Sequence, residues 1–437
     1  MEIKKRSLER SEEYYKRALK VVPAQCHTLS HGPTQYVSGV SPKYLYRGKG
    51  CLVWDVDGNE YLDLAPGGYT VTLGYAYEPV NRAIMEQLER GTLYPMPNPL
   101  EVETAELLTE IIPCAEMVKF AKNGSDVTSM AIRVSRAITG RDKVAAIGYH
   151  GWQDWHVAIT DRLSGIPKAI QELTLKFEYN NLESLKTIFD ENEGEIAAVI
   201  MEPIQLTLPE NNFLNKVKDL THKEGAIFIF DEIMTGNRVS LGGAQELFKV
   251  IPDLACFGKT LANGMPVSAL VGKQEIMENF SFDGVFFSST FGGECASLAA
   301  CKATLNELRD KKVNRFMWKQ GKKLQDGFNK LAKEYGLEEY MTCKGLPPLN
   351  AIVFNNENLD ATKEEMKSLF QQECMKRGML AGLYHGLCYA HEDKYIDLGL
   401  EIYEDAMRVF KKVLDEGADI RGNIEGEVVK EVFRHRE

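Results

Sequence analysis

Two short apolar runs, each ending in a charged group, mark the centre of the sequence. Residues 226–232 read AIFIFDE, and residues 254–259 read LACFGK. A charged residue at the end of a buried strand is costly unless it meets a partner there, and ligands bind at the carboxyl ends of strands in open α/β sheets. The pattern therefore predicts a pocket shared by Asp231 and Lys259, although each residue taken alone could equally lie in a surface loop.

Strand and helix patterns alternate around this stretch. Apolar runs suited to strands occur at Glu116–Lys122, Lys143–Gly148 and Ile196–Glu202, and helical patterns lie near 183–190 and 211–223. Such alternation over about 150 residues predicts a parallel or mixed sheet with helices on both faces. We therefore expect an α/β fold.

The flanking segments predict smaller elements. Residues 6–22 have an amphipathic helical pattern, and the residues around Asp57-Gly58-Asn59 read as short strands joined by a turn. A strand at Asn350–Phe354 and helices at 362–378 and 400–415 indicate a separate α+β region. The apolar stripe of the first helix, which we expect to be buried, comprises Leu8, Tyr15, Leu19 and Val22.

These patterns divide the chain into three parts. We predict an N-terminal part at 1–62 with a helix, a substrate-side segment and a small sheet, then a large domain at 63–300 and a C-terminal α+β domain at 301–437. A chain of 437 residues is long enough for one large domain with a smaller one attached.

The composition excludes several classes of protein. A formal charge of −11 argues against non-specific nucleic-acid binding, which needs a basic surface. The nine cysteines are dispersed without CxxC spacing, which indicates reduced thiols rather than a zinc site or a redox pair. No run approaches the ~18 apolar residues of a membrane span, and the charged N-terminus is not a secretory signal. We expect a cytoplasmic protein without metal, nucleic-acid or membrane partners.

Five groups of residues suited to catalysis or ligand binding lie at the ends of predicted elements. A carboxylate that can pair with a pyridine nitrogen and a lysine that can form an imine are the two groups that a pyridoxal-phosphate enzyme needs. Free amides at a helix N-terminus also suit a phosphate, although a glycine and serine there could form an ordinary capped helix start. The features are Gly124-Ser125, Tyr149-His150-Gly151-Trp152, Glu202, Asp231 and Lys259.

Seven longer motifs carry a resemblance to a known family. They are LYRGKGCLVWDVDGNEYLDL (45–64), NGSDVTSMAIRVSRAITGRDKV (123–144), GYHGWQD (148–154), MEPI (201–204), FIFDEIMTGNRVSLGGAQELF (228–248), PDLACFGKTLANGMPVSALVG (252–272) and SSTFGGECASLAA (288–300). From about residue 34 to 415 the chain resembles the class III aminotransferases, which have fold type I and depend on pyridoxal 5'-phosphate (PLP). Among them it is most similar to the glutamate-1-semialdehyde aminomutases. The resemblance implies a large domain with a mostly parallel seven-stranded sheet, and a smaller α+β domain formed by the N- and C-terminal parts.

The resemblance also implies roles for individual residues. Lys259 matches the Schiff-base lysine and Asp231 the partner of the pyridine nitrogen, so Lys259 must be neutral to move protons and turnover should be ping-pong. Thr290 matches a threonine that reaches the phosphate of the neighbouring subunit, which implies a homodimer with shared sites. The other predicted cofactor contacts are Tyr149 and Ile233 on the two ring faces, Gly124 and Ser125 in the phosphate turn, and His150 and Glu202 beside them.

The chain departs from the aminomutases where a substrate would bind. They have an arginine near the substrate in the N-terminal segment, whereas residues 31–42 (HGPTQYVSGVSP) contain none, and an acidic residue of theirs is replaced within residues 382–386 (GLYHG). Without that arginine a buried substrate carboxylate would bind less tightly by several kcal/mol. The candidate substrate contacts are His31, Gln35, Trp152, Tyr384 and His385, of which the two histidines could instead be solvated loop residues and Trp152 a core or interface aromatic.

These departures favour a two-substrate aminotransferase with an amino-acid donor and a carbonyl acceptor, for example a hydroxylated or sugar-like one. An aminomutase or racemase on the same scaffold is the alternative. A non-catalytic binding protein is disfavoured because Lys259, Asp231 and Tyr149 occur together. A nicotinamide dehydrogenase is excluded because no GxGxxG follows the first strand of the central region.

Overall fold

The computed structural model describes residues 6–380 and 383–430. Within them the strands are β1 (Leu45–Lys49), β2 (Leu52–Asp55), β3 (Glu60–Asp63), β4 (Met117–Ala121), β5 (Lys143–Ile147), β6 (Thr174–Lys176), β7 (Ile196–Met201), β8 (Ile227–Asp231), β9 (Leu254–Phe257), β10 (Ser268–Gly272), β11 (Met341–Leu346), β12 (Leu349–Phe354), β13 (Met379–Leu380) and β14 (Tyr384–Gly386). The helices are α1 (Glu9–Val21), α2 (Pro66–Tyr69), α3 (Glu78–Leu88), α4 (Pro99–Ile111), α5 (Gly124–Thr139), α6 (Asp154–Val157), α7 (Lys168–Gln171), α8 (Leu182–Glu191), α9 (Phe213–Lys223), α10 (Ala244–Phe248), α11 (Gln274–Met277), α12 (Cys295–Asp310), α13 (Val313–Glu334), α14 (Lys363–Lys376) and α15 (Asp393–Asp415). Five 3-10 turns lie at Pro23–Gln25, Leu29–His31, Pro33–Gln35, Lys259–Ala262 and Arg421–Asn423.

The described chain forms two compact units that differ in extent from the predicted domains. The first contains residues up to 77 and residues from 315 onward, and the second contains residues 78–314, whereas the predicted boundaries lie after residues 62 and 300. Residues 63–77 stay with the first unit because the backbones of Gly50 and Tyr75 exchange two hydrogen bonds of 2.9 and 2.7 Å. The later boundary moves because α12 continues to Asp310 and packs against α3 and α4.

The second unit is built on a seven-stranded sheet in the order β4-β10-β9-β8-β7-β5-β6. Neighbouring strands from β9 to β6 are parallel, and β10 runs antiparallel to both β9 and β4. The predicted α/β fold type I architecture with a mostly parallel seven-stranded sheet is confirmed. We had not identified β6 and β10 as strands.

Burial explains why the central strands lack an alternating pattern. Every residue of β7 (IAAVIM) is buried, and in β8 only Ile227 is partly exposed. A parallel strand covered by helices on both faces must be apolar on both faces. Helix α5 covers this sheet with Val127, Met130, Ala131 and Val134, while Ile138 near its end is exposed.

The first unit contains two smaller sheets, in the orders β1-β2-β3-β13 and β11-β12-β14. Its core includes aromatic residues from α13, α14 and α15. The rings of Phe328 and Tyr403 meet edge to face at 5.2 Å, and those of Phe370 and Tyr403 are stacked at 5.7 Å. Such contacts account for the buried faces of these three helices.

The prediction for α1 is correct in its position and largely correct in its buried face. Ser11 and Ala18 are buried, and of the predicted stripe Leu8, Tyr15 and Val22 are partly buried while Leu19 is exposed. Polar contacts fix the start of the helix: the amides of Arg10 and Ser11 each donate 2.9 Å hydrogen bonds to the carboxylate of Asp57. The apolar spacing did not predict these two charge-assisted hydrogen bonds.

Three kinds of feature are absent from the residues that the structure describes. All nine cysteines are free thiols. No described helix has both the length and the apolar character needed to cross a membrane. The same residues contain no group of three or more histidine, cysteine, aspartate or glutamate side chains arranged to hold a metal ion.

His385 corrects a predicted substrate contact. It lies on β14 and is buried, with Nδ1 at 2.5 Å from Oδ1 of Asn350 and Nε2 at 2.7 Å from the hydroxyl of Tyr403. Both ring nitrogens are therefore used within the core of the first unit. Burial, with a smaller contribution from His391, lowers the pKa of His385 from 6.5 to about 3. His385 is neither a substrate contact nor a solvated loop histidine.

We expect His385 to make the first unit sensitive to acid. Because its pKa is depressed on folding, the unfolded chain binds more protons below pH 6.5, and the stability contributed by the neutral imidazole is lost as the pH falls from 6.5 toward 3. The difference in free energy of unfolding between the wild type and His385→Gln should shrink by about 2 kcal/mol between pH 7 and 5. Urea unfolding measures it, with the exposed His27→Gln as control. Parallel pH profiles for wild type and His385→Gln would contradict the assignment.

Candidate functional site

The predicted cofactor residues of the central region follow adjacent parallel strands. Tyr149 and His150 come after β5, Glu202 directly follows β7, Asp231 ends β8, and Lys259 comes after β9. The order β9-β8-β7-β5 places these four strand ends side by side. Since the strands are parallel, their carboxyl ends share one edge of the sheet, which is where ligands bind in such sheets.

Asp231 is a buried carboxylate that is paired with His150. Its Oδ2 lies 2.7 Å from Nδ1 of His150, and its Oδ1 accepts a 3.0 Å hydrogen bond from the amide of Ile233. Nε2 of His150 lies 3.1 Å from the carbonyl oxygen of Ile147. His150 thus stands between the carboxylate of Asp231 and the carbonyl oxygen of Ile147. The pair gives the buried carboxyl group of Asp231 a hydrogen-bonding partner.

The surroundings of the Lys259 amine favour its neutral form. Burial lowers its pKa from 10.5, and the charge of Arg238 lowers it further, while Asp231 and Glu202 act in the opposite direction. The Nζ atom lies 2.8 Å from the thioether sulfur of Met234, which is a weak acceptor. Lys259 has a φ of 38°, an unusual backbone angle for a residue with a side chain. Strain of this kind occurs where the surrounding structure fixes a residue for function.

Glu202 is a second carboxyl group at this edge. Burial raises its pKa from 4.5 to about 7, and the charge of Asp231 adds to the shift, whereas His150 and Lys259 oppose it. Its Oε2 accepts a 3.3 Å hydrogen bond from the amide of Tyr149. Glu202 therefore fixes the backbone that carries the predicted stacking ring.

The Tyr149 ring is partly exposed and contacts a buried histidine. It is 48% exposed, and it meets the ring of the buried His156 at 5.4 Å with an interplanar angle of 86°. The pKa of His156 is lowered to about 3 by burial and by His150, so His156 is neutral. A neutral ring of this kind can hold Tyr149 in place without adding charge to the site.

The turn between β4 and α5 has the geometry of an anion-binding helix start. The carboxylate of Asp126 accepts a 2.8 Å hydrogen bond from the amide of Asn123, which orders the first turn of α5. Gly124 and Ser125 occupy the first two helical positions, where amides have no acceptor within the helix. The free amides and the positive end of the helix dipole favour a phosphate here.

The loop after β5 packs directly on this helix start. Gly151 has a φ of +118°, and a Cβ atom built on it would lie 2.4 Å from Cβ of Ser125. The hydroxyl of Thr128 in α5 also donates a 2.7 Å hydrogen bond to the carbonyl oxygen of His150. The loop that carries His150 and the turn at the start of α5 therefore pack directly against each other.

Ile233 lies between two glycines of the site. A Cβ atom on Gly124 would lie 3.0 Å from Cδ1 of Ile233, and a Cβ atom on Gly258 would also lie 3.0 Å from it. The side chain of Ile233 is thus held against the helix start and beside Lys259. A flat apolar surface next to the amine suits one face of an aromatic ring.

The remaining predicted residues lie in different surroundings. Thr290 is exposed in the segment before α12, and Trp152 is 71% exposed. In the first unit His31 is exposed, and the side-chain amide of Gln35 donates a 2.7 Å hydrogen bond to the carbonyl oxygen of Lys430. Tyr384 is half exposed with the ammonium of Lys367 5.6 Å from its ring. Gly382, in the segment where the aminomutase acid is replaced, lies outside the described residues.

Several supporting residues had not been identified from the sequence. Met234 contacts the Lys259 amine, and the hydroxyl of Ser268 donates a 2.8 Å hydrogen bond to the carbonyl oxygen of Asn123. His156 and Arg238 act on the site through ring contact and charge. Met234 lies in the quoted motif that contains Asp231, and His156 follows the GYHGWQD motif by two residues, so their proximity in sequence to Asp231 and His150 was an available signal. Ser268 and Arg238 also lie in quoted motifs, but their action on the site depends on the tertiary fold.

Comparison with known proteins assigns the chain to a family. The sequence pattern described as aminotransferase class-III matches residues 37–392. The chain is 34% identical over 418 residues to the 3-aminobutyryl-CoA aminotransferase of Cloacimonas acidaminovorans, covering 94% of this chain and 99% of that protein. It is 32% identical over 427 residues to the glutamate-1-semialdehyde 2,1-aminomutase of Aquifex aeolicus, covering 91% and 99%.

Solved structures agree with the fold. An omega-transaminase from Sphaerobacter thermophilus superposes with a TM-score of 0.83 at 25% identity, covering 91% of this chain and 97% of that one. The family pattern and the long, nearly full-length similarities are each sufficient to establish family membership. The chain belongs to the class III aminotransferases, a family of PLP-dependent enzymes.

Proposed function

We propose that this chain is an aminotransferase that moves an amino group from an amino-acid donor to a carbonyl acceptor in two half-reactions, by a ping-pong mechanism. The observation that supports this most strongly is the shared sheet edge, where Asp231 paired with His150 and the amine of Lys259 follow adjacent strands. These are the acid and the amine that the chemistry of the family requires.

The residues present fit PLP. The helix start at Gly124 and Ser125 offers amides for the phosphate, and the Asp231 carboxylate suits a protonated ring nitrogen. Ile233 and Tyr149 offer an apolar and an aromatic surface for the two ring faces. The approach of Gly151 to Ser125, which a side chain would block, is consistent with a cradle shaped for a bound group.

Each protein group has a defined task in this proposal. When bound, PLP supplies an electron sink that stabilises negative charge on the carbon carrying the amino group. Asp231, held in place by its 2.7 Å contact with His150, would hold the ring nitrogen protonated, which preserves that sink. Lys259 would anchor the cofactor, and its free amine would then take a proton from the substrate carbon and return it to the cofactor. The depressed pKa of Lys259 supports this role because only the neutral amine accepts a proton.

A homodimer with shared sites follows from the proposed role of Thr290 at the neighbouring subunit's phosphate. Thr290 is exposed, and the adjacent Phe291 is 57% exposed. Large exposed apolar side chains in the same unit include Met85, Leu88, Met96 and Phe286. Contiguous exposed apolar surface marks interaction faces, and we propose that these side chains contribute to the dimer contact. Nine free thiols support a reducing compartment, and we propose that the enzyme acts in the cytoplasm.

The nature of the substrate is the open part of this proposal. No arginine occurs in residues 31–42, the segment that carries the substrate-side arginine of the aminomutases. A donor or acceptor whose acyl end is not a free carboxylate needs no such arginine. The similarity to a 3-aminobutyryl-CoA aminotransferase gives one example of such a substrate, an amino acyl thioester. The hydroxylated or sugar-like carbonyl compound predicted from the sequence is a second, and the aminomutase or racemase reaction remains the alternative class.

Lys259→Ala should abolish covalent attachment of the cofactor. The variant lacks the amine, while the helix start and the Asp231–His150 pair remain. Mass spectrometry after loading with PLP and reduction with borohydride should find a covalent adduct in the wild type and none in Lys259→Ala. Lys168→Ala, at an exposed helical lysine, should retain the adduct. A wild-type protein that forms no adduct would contradict the proposed function.

A half-reaction screen separates a transferase from an isomerase. We expect amino donors to convert the bound cofactor to its amine form with release of one keto product per site, because a ping-pong transferase stops there without an acceptor. Absorbance follows the cofactor, and the keto product is quantified chemically; the donors should include α-amino acids and a β-amino acyl thioester. Isomerised substrate without keto product would support the aminomutase or racemase instead.

Gly151→Ala should weaken PLP binding more than tenfold. The added methyl group would overlap Ser125 at 2.4 Å and would adopt an unfavourable φ, so the phosphate turn must shift. The dissociation constant for PLP is measured by absorbance titration. Gly165→Ala is the matched control because Gly165 also has a positive φ of +85° but has open space around its Cβ position. Equal effects of the two substitutions would show that backbone strain, rather than the contact with Ser125, limits binding.

A further inference from the structure

Lys122 and Glu294 join two segments that the proposed function assigns to the cofactor phosphate. Lys122 lies between β4 and the turn that begins α5, and Glu294 immediately precedes α12 and follows the segment that contains Thr290. Nζ of Lys122 lies 3.2 Å from Oε2 of Glu294, and the two side chains are only 15% and 18% exposed. The ion pair therefore connects the phosphate turn of a subunit with the segment that carries Thr290.

The carboxylate of Glu294 is fixed by α12. It accepts hydrogen bonds from the amides of Ala296 at 2.7 Å and Ser297 at 3.2 Å, and from the hydroxyl of Ser297 at 2.5 Å. Burial alone would raise the pKa of Glu294, but the bonds from Ser297 and Ala296 and the charge of Lys122 lower it below its ordinary value. Glu294 is thus a carboxylate with a defined position.

Lys122 is fixed by the phosphate turn. Its amide donates to Oδ2 of Asp126 at 3.3 Å, and the amide of Asn123 donates to the same oxygen at 2.8 Å. The hydroxyl of Ser268 on β10 holds the carbonyl oxygen of Asn123. A displacement of Lys122 would therefore displace the first residues of α5.

The segment around Thr290 is a compact turn on β4. The amide of Gly292 donates to the carbonyl oxygen of Ser289 at 3.0 Å, and that of Glu294 to the carbonyl oxygen of Phe291 at 3.1 Å. A Cβ atom on Gly292 would lie 3.2 Å from the carbonyl oxygen of Phe120, so this turn rests against the strand that leads to Lys122. Backbone packing brings the two segments together, and the ion pair fixes their relative position.

We propose that Lys122 and Glu294 are positioning residues for a phosphate-bearing ligand, and that their ion pair holds the Gly124-Ser125 turn and the Thr290 turn in a single arrangement. The proposal rests on the proposed function, in which the Gly124-Ser125 turn contacts the phosphate of the subunit's own PLP and Thr290 contacts that of the neighbouring subunit. Exposed ion pairs contribute little to stability. The Lys122–Glu294 pair is largely buried and both of its residues are fixed by other hydrogen bonds, so it restricts the movement of the two turns more strongly. The phosphate, rather than the ring, is the part of the ligand that depends on it.

The test compares PLP with pyridoxal, which lacks the phosphate, in binding titrations of Lys122→Met, Glu294→Gln and the double variant. Each single substitution should weaken PLP binding about three- to tenfold, the double variant no more than either, and pyridoxal binding should not change. The side-chain oxygen that remains in Glu294→Gln can still accept the hydrogen bond from the amide of Ala296, which keeps the start of α12. Lys122→Arg should bind PLP like the wild type.

A second ion pair on α12 serves as the control. Lys302 and Glu103 lie 2.6 Å apart and join α12 to α4, with side chains 39% and 50% exposed. Lys302→Met and Glu103→Gln remove a pair of the same chemistry away from both turns. We expect neither substitution to change the dissociation constant for PLP or for pyridoxal.

Three results would overturn the inference. Weaker PLP binding in Lys122→Met with unchanged or tighter binding in Glu294→Gln would show that Lys122 acts as a direct cation rather than through the pair. Equal losses for PLP and pyridoxal, with a lowered melting temperature of the ligand-free protein, would show a general structural role. Unchanged PLP binding in both variants would show that the pair does not position the phosphate. Failure of the wild type to bind PLP would instead contradict the proposed function, so the two failures are distinguishable.

Discussion

The buried carboxylate of Asp231 is the constraint on which the cofactor-facing edge of the sheet depends. An ionised carboxylate at the end of a covered strand is strongly unfavourable without a partner, and removal of one member of a buried pair costs about 3–5 kcal/mol. His150 supplies that partner from the loop after β5, two strands away in the order β8-β7-β5. Because Nε2 of His150 meets the carbonyl oxygen of Ile147, the ring is fixed by the strand it follows. The pair thus sets the position of the loop that carries Tyr149 and Gly151.

The acid next to Asp231 has a different task. Glu232 is fully buried and accepts hydrogen bonds from the hydroxyl of Thr235 and from the amides of Ala244 at 2.8 Å and Gln245 at 2.9 Å. Burial raises its pKa, and these three donors oppose the shift. Glu232 therefore organises the loop between β8 and α10 and has no free oxygen directed at a ligand. The two adjacent carboxyl groups differ in role because their partners differ: Asp231 is paired with His150, whereas Glu232 is bound by the amides of Ala244 and Gln245.

The sequence predicted the parts of this molecule that local patterns determine. Five strands of the large sheet were predicted because a fully covered strand is a continuous apolar run, and α5 was predicted because an amphipathic helix has an apolar stripe. The site residues at the strand ends were predicted from the positions of these strands. The antiparallel strand β10 was missed because its residues sit in a longer irregular apolar segment, so its pairing depends on β4 and β9. The contact of α1 with Asp57 was not predicted because Asp57 is distant in sequence from the amides that it binds. His385 was misjudged because nothing local signals that Asn350 and Tyr403 enclose it.

The distribution of charge around Lys259 follows from the same geometry. Burial lowers the pKa of Lys259 from 10.5 and the charge of Arg238 lowers it further, while Asp231 and Glu202 oppose the shift. Burial also raises the pKa of Glu202 from 4.5 to about 7. The covered edge of the sheet thus disfavours the charged form of both groups, because each loses the solvation of its charge there. A lysine that acts alternately as base and acid requires an accessible neutral amine, and burial at this edge favours that form.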